Sequence, residues 1–390
     1  MPPKLGSVDD ALRPLMELAE LAAPEDGEEE DISFTQELLT YPSPRQKRAK
    51  RAADAMSRAR ALQMMPSPCK KAISAPAVAS TAAGPGEDEL LKDFKVTDVL
   101  SKMADRSVLL AEKRRRADGA DGAGSCQVAL KIIQKHRLTS AATSAPSQSP
   151  VAKEPSMGSE AELMRQLKHP NIVQLQEVLE DEDRVCLVME YISGGDMLQD
   201  LIRQGRFLEP HARRLLKELG SAMEYVHSRN IVHRDLKPEN LLLTSSDRAT
   251  TAVKISDFGI SRWTMSSQDC RTYLGSRDYR APEVIHLALK KGRRAGRSPS
   301  RSVASAEGYG KPADLWSLGV VVYVMLSGER AFESQNKVEL EIVQGLWSFS
   351  SEVWQSISAE AKDLVSALMQ QEPKKRLTAA QLLQHCWLNT

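Results

Sequence analysis

The sequence predicts an α+β protein of two lobes, a small antiparallel β-sheet lobe with one main helix followed by a larger, mainly helical lobe. Three observations carry this. From residue 94 to 191 run short β-branched segments, "FKVTDVL", "SVLLA", "QVALKII", "IVQLQEVLE" and "RVCLVMEY", each bounded by polar residues as strands are. One stretch of helical patterning, "GSEAELMRQLKHP", interrupts them. After Gly194 and Gly195 the period changes. In "HARRLLKELGSAMEYVHSRN", Ala212, Leu215, Leu216, Leu219, Met223 and Val226 recur at the spacing of one helix face.

Composition sets the frame for these elements. At 390 residues, 41% hydrophobic and 27% charged, with a formal net charge of +1, the chain can bury one large core or two lobes. The five cysteines are scattered, with no CxxC pair, and read as reduced thiols of an intracellular protein. The most apolar run, "LGVVVYVML" at 318–326, is far shorter than the ~20 residues that span a bilayer, so it reads as a buried core helix and no membrane partner is expected. The first residues, "MPPKLGSVDD", carry no secretory pattern.

The chain divides at residue 90. Residues 1–90 hold an acidic run, "EDGEEED", a basic run, "RQKRAKR", and an Ala/Ser/Pro-rich tract, and read as a disordered tail that lacks the apolar periodicity to offset ordering. Residues 91–192 form the sheet lobe and the hinge after it, with insertions near 112–125 and 138–156; residues 193–390 form the helical lobe, with an Arg/Ser-rich insertion near 290–308. The basic run has two readings, a nuclear-import or nucleic-acid patch and a solvated tail; without interleaved aromatics the second is favoured, and a nucleic-acid partner is not expected. The location expected is the cytoplasm, with the nucleus added on the first reading.

The chemistry is concentrated where the lobes join. "VHRDLKPENLLL" places Lys237 two residues and Asn240 five residues after Asp235. "KISDFGISRW" then supplies Asp257-Phe258-Gly259, "RAPEV" supplies Ala281-Pro282-Glu283, and "ADLWSLGVV" follows. In this order the set resembles the eukaryotic protein-kinase family over roughly residues 94–388. The lysine in "DLKPEN" is similar to the serine/threonine type, and "EPKKRLTAAQLLQHCWLNT" to the end of the calcium/calmodulin-dependent kinase catalytic domain, with Cys386 where that group has proline.

The resemblance implies the two-lobed protein-kinase fold, ATP and Mg²⁺ as cofactors, and protein substrates with Ser/Thr acceptors. Asp235 would accept the substrate hydroxyl's proton, Lys237 would stabilise the transferring phosphate, and Asn240 and Asp257 would be the oxygen ligands of Mg²⁺. "VALKII" resembles the family's VAIK strand, making Lys131 a phosphate ligand, with Glu160 rather than Glu162 as its ion-pair partner. Met164 would pack one turn later against Leu175, His233 and Phe258. "LVMEYISGGDM" reads as the hinge, with backbone groups of Glu190 and Ile192 for an adenine edge and Met189 gating the pocket behind. Leu100, Val108, Ala129 and Leu242 would sandwich the base. Asp196 either contacts ribose or a basic substrate side chain, or caps the next helix.

One family motif is broken. Aligned on Leu100 and Val108, the glycine-rich pattern finds Ser101, Met103 and Arg106 at its glycine positions and Asp105 at its aromatic one. Nucleotide handling is expected to survive on the retained charges, with weaker affinity or another loop geometry; the alternative is a pseudokinase scaffold. "DGADGAGS" at 118–125 lies too close to Lys131 to be the missing loop and reads as an enlarged hairpin turn. Arg106 reads as a solvated loop arginine or as a phosphate contact. Arg234 would order an activation segment phosphorylated on Thr272 by an upstream kinase, with Ser266 and Ser267 behind it, or would only pack. Ser276 takes the family's threonine position near Asp235 and Lys237, Arg376 would pair with Glu283, and Asp196 and Glu239 favour a basic substrate. Arg297, three residues before Ser300, marks a site the protein could phosphorylate on itself.

Overall fold

A computed structural model of the chain describes residues 89–390, except 104–105, 115–125, 136–156, 265–269, 271, 295–307 and 335–336. The predicted tail therefore lies outside the described residues, apart from its last two. Those two belong to the folded body: Glu89–Leu91 is a 3-10 turn, and Leu90 and Leu91 pack against the cluster around Phe94. The insertions lie almost wholly outside the described residues.

The first lobe is one antiparallel sheet of β1 (Phe94–Lys102), β2 (Arg106–Lys113), β3 (Gln127–Gln134), β4 (Leu175–Glu180) and β5 (Arg184–Glu190), in spatial order β1-β2-β3-β5-β4. β4 starts three residues later than the "IVQLQEVLE" run suggests, because Ile172 is spent on a bridge to Ile255 in the other lobe. Alternation along the strands separates two faces. Phe94, Ala111, Val128, Leu130, Ile132, Cys186 and Val188 close one side as a small core of their own. Ala129, Leu187 and Met189 face the other way and join the core shared with the second lobe. The helix α1 (Met157–Gln166) contributes Ala161, Leu163 and Met164 to that shared core.

The second lobe is built on helices. After the short α2 (Met197–Gln204) comes α3 (Glu209–Ser228), whose predicted apolar stripe is buried throughout. Then β6 (Ile231–Val232), β7 (Leu241–Leu243), β8 (Val253–Ile255) and β9 (Arg262–Trp263) pair as β6 with β9 and β7 with β8. The helix α4 (Pro282–Arg294) precedes α5 (Lys311–Ser327), which carries the "LGVVVYVML" run. Apolar almost all round, α5 can be stable only as the central helix of the lobe; it stops at Gly328, whose φ of +71° is left-handed. The helices α6 (Val338–Val343), α7 (Ala359–Leu368), α8 (Ala379–Leu383) and α9 (Cys386–Asn389) complete the lobe. Trp387 is buried, donating to Glu209 Oε2 at 2.8 Å beneath the Arg213 guanidinium. No helix among the described residues is long and apolar enough to cross a membrane.

One buried ion pair ties the end of the lobe to its middle. Arg376 forks onto Glu283, 2.9 and 3.2 Å away, donates to the carbonyls of Gln370 and Pro312, and lies over the Trp316 ring. Its side chain is wholly shielded from solvent. Removing one partner of a buried pair strands the other charge. Arg376→Met is therefore expected to lower unfolding stability by about 3–5 kcal/mol, measured by denaturant titration against the unaltered protein.

Candidate active site

The loop between β6 and β7 holds Asp235, Lys237 and Asn240 in a conformation set from below. The buried Asp314 carboxylate on α5 accepts the His233 and Arg234 amides at 2.9 and 2.8 Å, and His227 Nε2 lies 2.9 Å from it. Arg234 takes a φ of +71°, unusual for a residue with a β-carbon. These amide bonds hold it there.

Above this base the Asp235 carboxylate is held from several directions. Oδ1 accepts the Ser276 amide and hydroxyl at 2.8 and 2.7 Å; Oδ2 meets Lys237 Nζ at 2.8 Å and Asn240 Nδ2 at 3.0 Å. Lys237 Nζ also donates to Ser276 Oγ at 2.7 Å. Burial pushes the Asp235 carboxyl up, but Lys237 and Ser276 outweigh it and hold the group below the usual carboxylate range. Gly275, just before Ser276, has a φ of +95°, and a β-carbon there would stand 2.5 Å from the Arg234 carbonyl oxygen. A side chain would push Ser276 away from Asp235.

Across the cleft, Lys131 on β3 is buried, with Nζ 2.7 Å from Glu160 Oε1 and 2.7 Å from Asp257 Oδ1. Glu160 is enclosed, whereas Glu162 on the same helix is exposed. Burial works against the ammonium, yet the two carboxylates overcome it and raise its pKa. Asp257, with a φ of +58°, is pushed up by burial and pulled further down by Lys131, Arg106 and His233, to about 2. Phe258 is buried edge-on to the His233 ring, 4.8 Å between centroids, in the cluster that holds Met164 and lies against Leu175.

The remaining predicted residues fall around this centre. Register places Val108 opposite Lys131 and Ala129 opposite Met189, so the adenine-sandwich residues share the face turned to the second lobe. Ile192 and Leu242 pack against the same core. Leu100 is 43% exposed on β1, less enclosed than a sandwich residue. The Glu190 amide is taken by the Gln174 carbonyl at 3.0 Å, which leaves only the Glu190 carbonyl for an adenine edge. Asp196 shows the capping reading: Oδ1 accepts Gln199 N at 2.8 Å, while a bridge to Leu242 keeps it beside the base position. Arg106 is no loop arginine, for it is the first residue of β2 and half-buried. Lys254 was not foreseen at all. It pairs with the Glu190 carboxylate at 2.9 Å and so ties the hinge to the strand leading into Asp257.

The segment carrying Thr272 is pinned from two sides. Arg234 Nη1 donates to Thr272 Oγ1 at 3.0 Å, and Tyr309 donates its hydroxyl to the Thr272 carbonyl at 2.9 Å. Cys270 and Tyr309 exchange a pair of backbone hydrogen bonds. Ser266, Ser267, Arg297 and Ser300 lie outside the described residues.

The donor set fits a magnesium–nucleotide pair. No cluster of three His, Cys, Asp or Glu among the described residues forms a cage of its own. Asp257 offers a carboxylate, and Asn240, its amide nitrogen turned to Asp235, keeps its amide oxygen. Two hard oxygens, completed by phosphate, are the set Mg²⁺ takes.

A shielded carboxylate bonded to the lysine two residues further on, with a second lysine nearby bridging two acids, is an arrangement suited to phosphoryl transfer. The protein kinase domain family matches residues 119–388, and the chain belongs to that family. The match begins beyond β2, so the hairpin without glycines falls outside it. The chain is 37% identical over 266 residues to the human (Homo sapiens) serine/threonine-protein kinase DCLK3, covering 67% of this chain and 36% of that protein. It is 37% identical over 264 residues to calcium/calmodulin-dependent protein kinase type 1 of Macrobrachium nipponense, 67% of each chain. With myosin light chain kinase A of Dictyostelium discoideum the identity is 35% over 304 residues, 77% of this chain and 90% of the other. The chain spans only about a third of the length of the DCLK3 proteins.

The low pKa of Asp257 makes a prediction. A carboxyl depressed when folded stabilises the protein above its unfolded pKa of about 3.9, and that contribution is lost as pH falls through the folded value. The stability difference between the protein and Asp257→Asn should be constant from about pH 8 to 5 and shrink between about pH 4 and 2, read from thermal melts across that range.

Proposed function

We propose that the protein is an ATP-dependent serine/threonine kinase, transferring the γ-phosphate to a Ser or Thr hydroxyl in a basic sequence context. One observation carries this reading: Asp235 is held by Lys237, Ser276 and Asn240 while Lys131 is bonded to both Glu160 and Asp257. Phosphoryl transfer asks the protein for positioning and charge rather than covalent work. Asp235 receives the acceptor hydroxyl as a hydrogen-bond donor and aims its oxygen at phosphorus. Held at a low pKa, it is a weak base, so it takes the proton late, as the new P–O bond forms and the bond to the ADP oxygen breaks. Lys237 and Lys131 face the charge of the transferred and remaining phosphates. Mg²⁺, held by Asp257 and Asn240, would neutralise phosphate oxygens when bound.

The pseudokinase alternative rests on the missing glycines. Among the described residues of the β1–β2 hairpin none has a positive φ, so none of these needs glycine to take its conformation. The charged groups of the cleft, Asp235, Lys237, Lys131 and Asp257, are all retained. Glu239, exposed beside the catalytic loop, supports the basic preference. The cytoplasm, with its reduced thiols, is the location this reading fits.

Asp235→Asn should lower kcat for phosphate transfer to a basic peptide by about 10²–10⁴ while leaving ATP binding in place, in an assay with radiolabelled ATP; equal incorporation by both proteins would refute the reading. The contact between Arg234 and Thr272 supports control by an upstream kinase, since Arg234 Nη2 is buried with no partner among the described residues and a phosphate on Thr272 would engage it. Phosphatase treatment is expected to reduce activity, with Thr272→Ala matching the treated level; activity indifferent to both would remove this part.

A further inference from the structure

The turn that lacks its glycines presents a cation instead. Arg106 opens β2 opposite Ile133, with Val108 opposite Lys131 and Leu110 opposite Ala129. Alternate strand residues share a face, so Arg106 stands on the side of the sheet that carries Lys131. Packing identifies that side: Val108, Ile133 and Ala129 join the core shared with the second lobe, while Leu109 and Ala111 belong to the opposite cluster. Arg106 is half-buried and its Nε is shut off from solvent. Its charge reaches Asp257, where, after burial and Lys131, it is the next influence on that carboxyl.

Charge accounting shows what such a group can do. Lys131, the cation the family pattern assigns to the phosphates, is already bonded to two carboxylates, Glu160 and Asp257. A glycine-rich turn would add main-chain N–H groups at close approach, but β-carbons at positions 101, 103 and 106 hold the backbone off. A guanidinium reaches further than an amide, stays charged, and offers a planar fork that matches phosphate oxygens.

We propose that Arg106 is a phosphate-binding residue, its guanidinium taking triphosphate oxygens of the nucleotide in place of the amides of a glycine turn. The proposal rests on the kinase reading above. It also explains how the hairpin departs from the family motif while the rest of the cleft keeps it.

The test is calorimetric titration of the full chain with Mg-ATP and, separately, with adenosine. Arg106→Gln should weaken Mg-ATP roughly ten- to a hundredfold, the value of a charge-assisted contact, and leave adenosine unchanged; Arg106→Lys should fall between. Unchanged or tighter Mg-ATP binding by Arg106→Gln, or an equal loss for adenosine, overturns the assignment. A variant at a half-buried position can fail to fold, so the unaltered protein supplies a second readout. Phenylglyoxal labelling of Arg106, mapped by mass spectrometry, should be blocked by Mg-ATP and not by adenosine; labelling indifferent to Mg-ATP overturns it too. The two readings fail separately: wild-type protein that moves no phosphate refutes the kinase, whereas a kinase whose ATP affinity ignores Arg106 refutes only this proposal.

Discussion

The buried ammonium of Lys131 is the constraint around which the two lobes are arranged. An amine stripped of water is costly unless its charge is met at hydrogen-bond distance. Here two carboxylates meet it, from parts of the chain far apart in sequence: Glu160 from α1 and Asp257 from the turn after β8. Satisfying one charge therefore fixes a strand, a helix and a loop of the opposite lobe together. The space is filled so closely that a β-carbon on Gly259 would stand 3.1 Å from Asp257 Oδ1, 3.3 Å from Glu160 Oε2 and 3.5 Å from Lys131 Nζ. A side chain after Phe258 would press on the two carboxylates of the ion cluster.

A second buried charge works on backbone rather than side chains. Asp314, on the most enclosed helix, accepts two successive amides of the loop before Asp235 and sits against His227. Burial opposes its ionisation, and these bonds, His227 first, more than reverse that. Through it the position of Asp235 is referred to the core of the lobe. The reacting carboxylate then needs only short-range partners, and Ser276 and Lys237 provide them.

Much of this was legible in the sequence, and the reasons differ by level. β3, β5 and α3 were readable because apolar residues and burial coincide in them; α5 was readable from its unbroken apolar run. Asp235, Lys237, Asn240, Asp257 and Lys131 could be named because their motifs match the protein-kinase family in order and spacing. Glu160 could be separated from Glu162 because only one helix register turns a carboxylate inward. What was illegible depended on competition for single atoms. Whether Asp196 uses an oxygen on its helix, or Glu190 its amide on Gln174, is decided by geometry a few tenths of an ångström wide. Lys254 carried no signal, since a lysine on a short strand is ordinary until its distance to Glu190 is known. Of the two readings of Arg106, the solvated loop arginine fails because Arg106 pairs with Ile133 at the start of β2, which no local spacing announces.

The backbone exchange between Cys270 and Tyr309 has a mechanical side. Tyr309 stands just before α5, and its hydroxyl holds the carbonyl of Thr272. A displacement at Tyr309 is thus delivered to the Thr272 segment through hydrogen bonds alone. The entry to α5 and the Thr272 segment therefore form one mechanical unit.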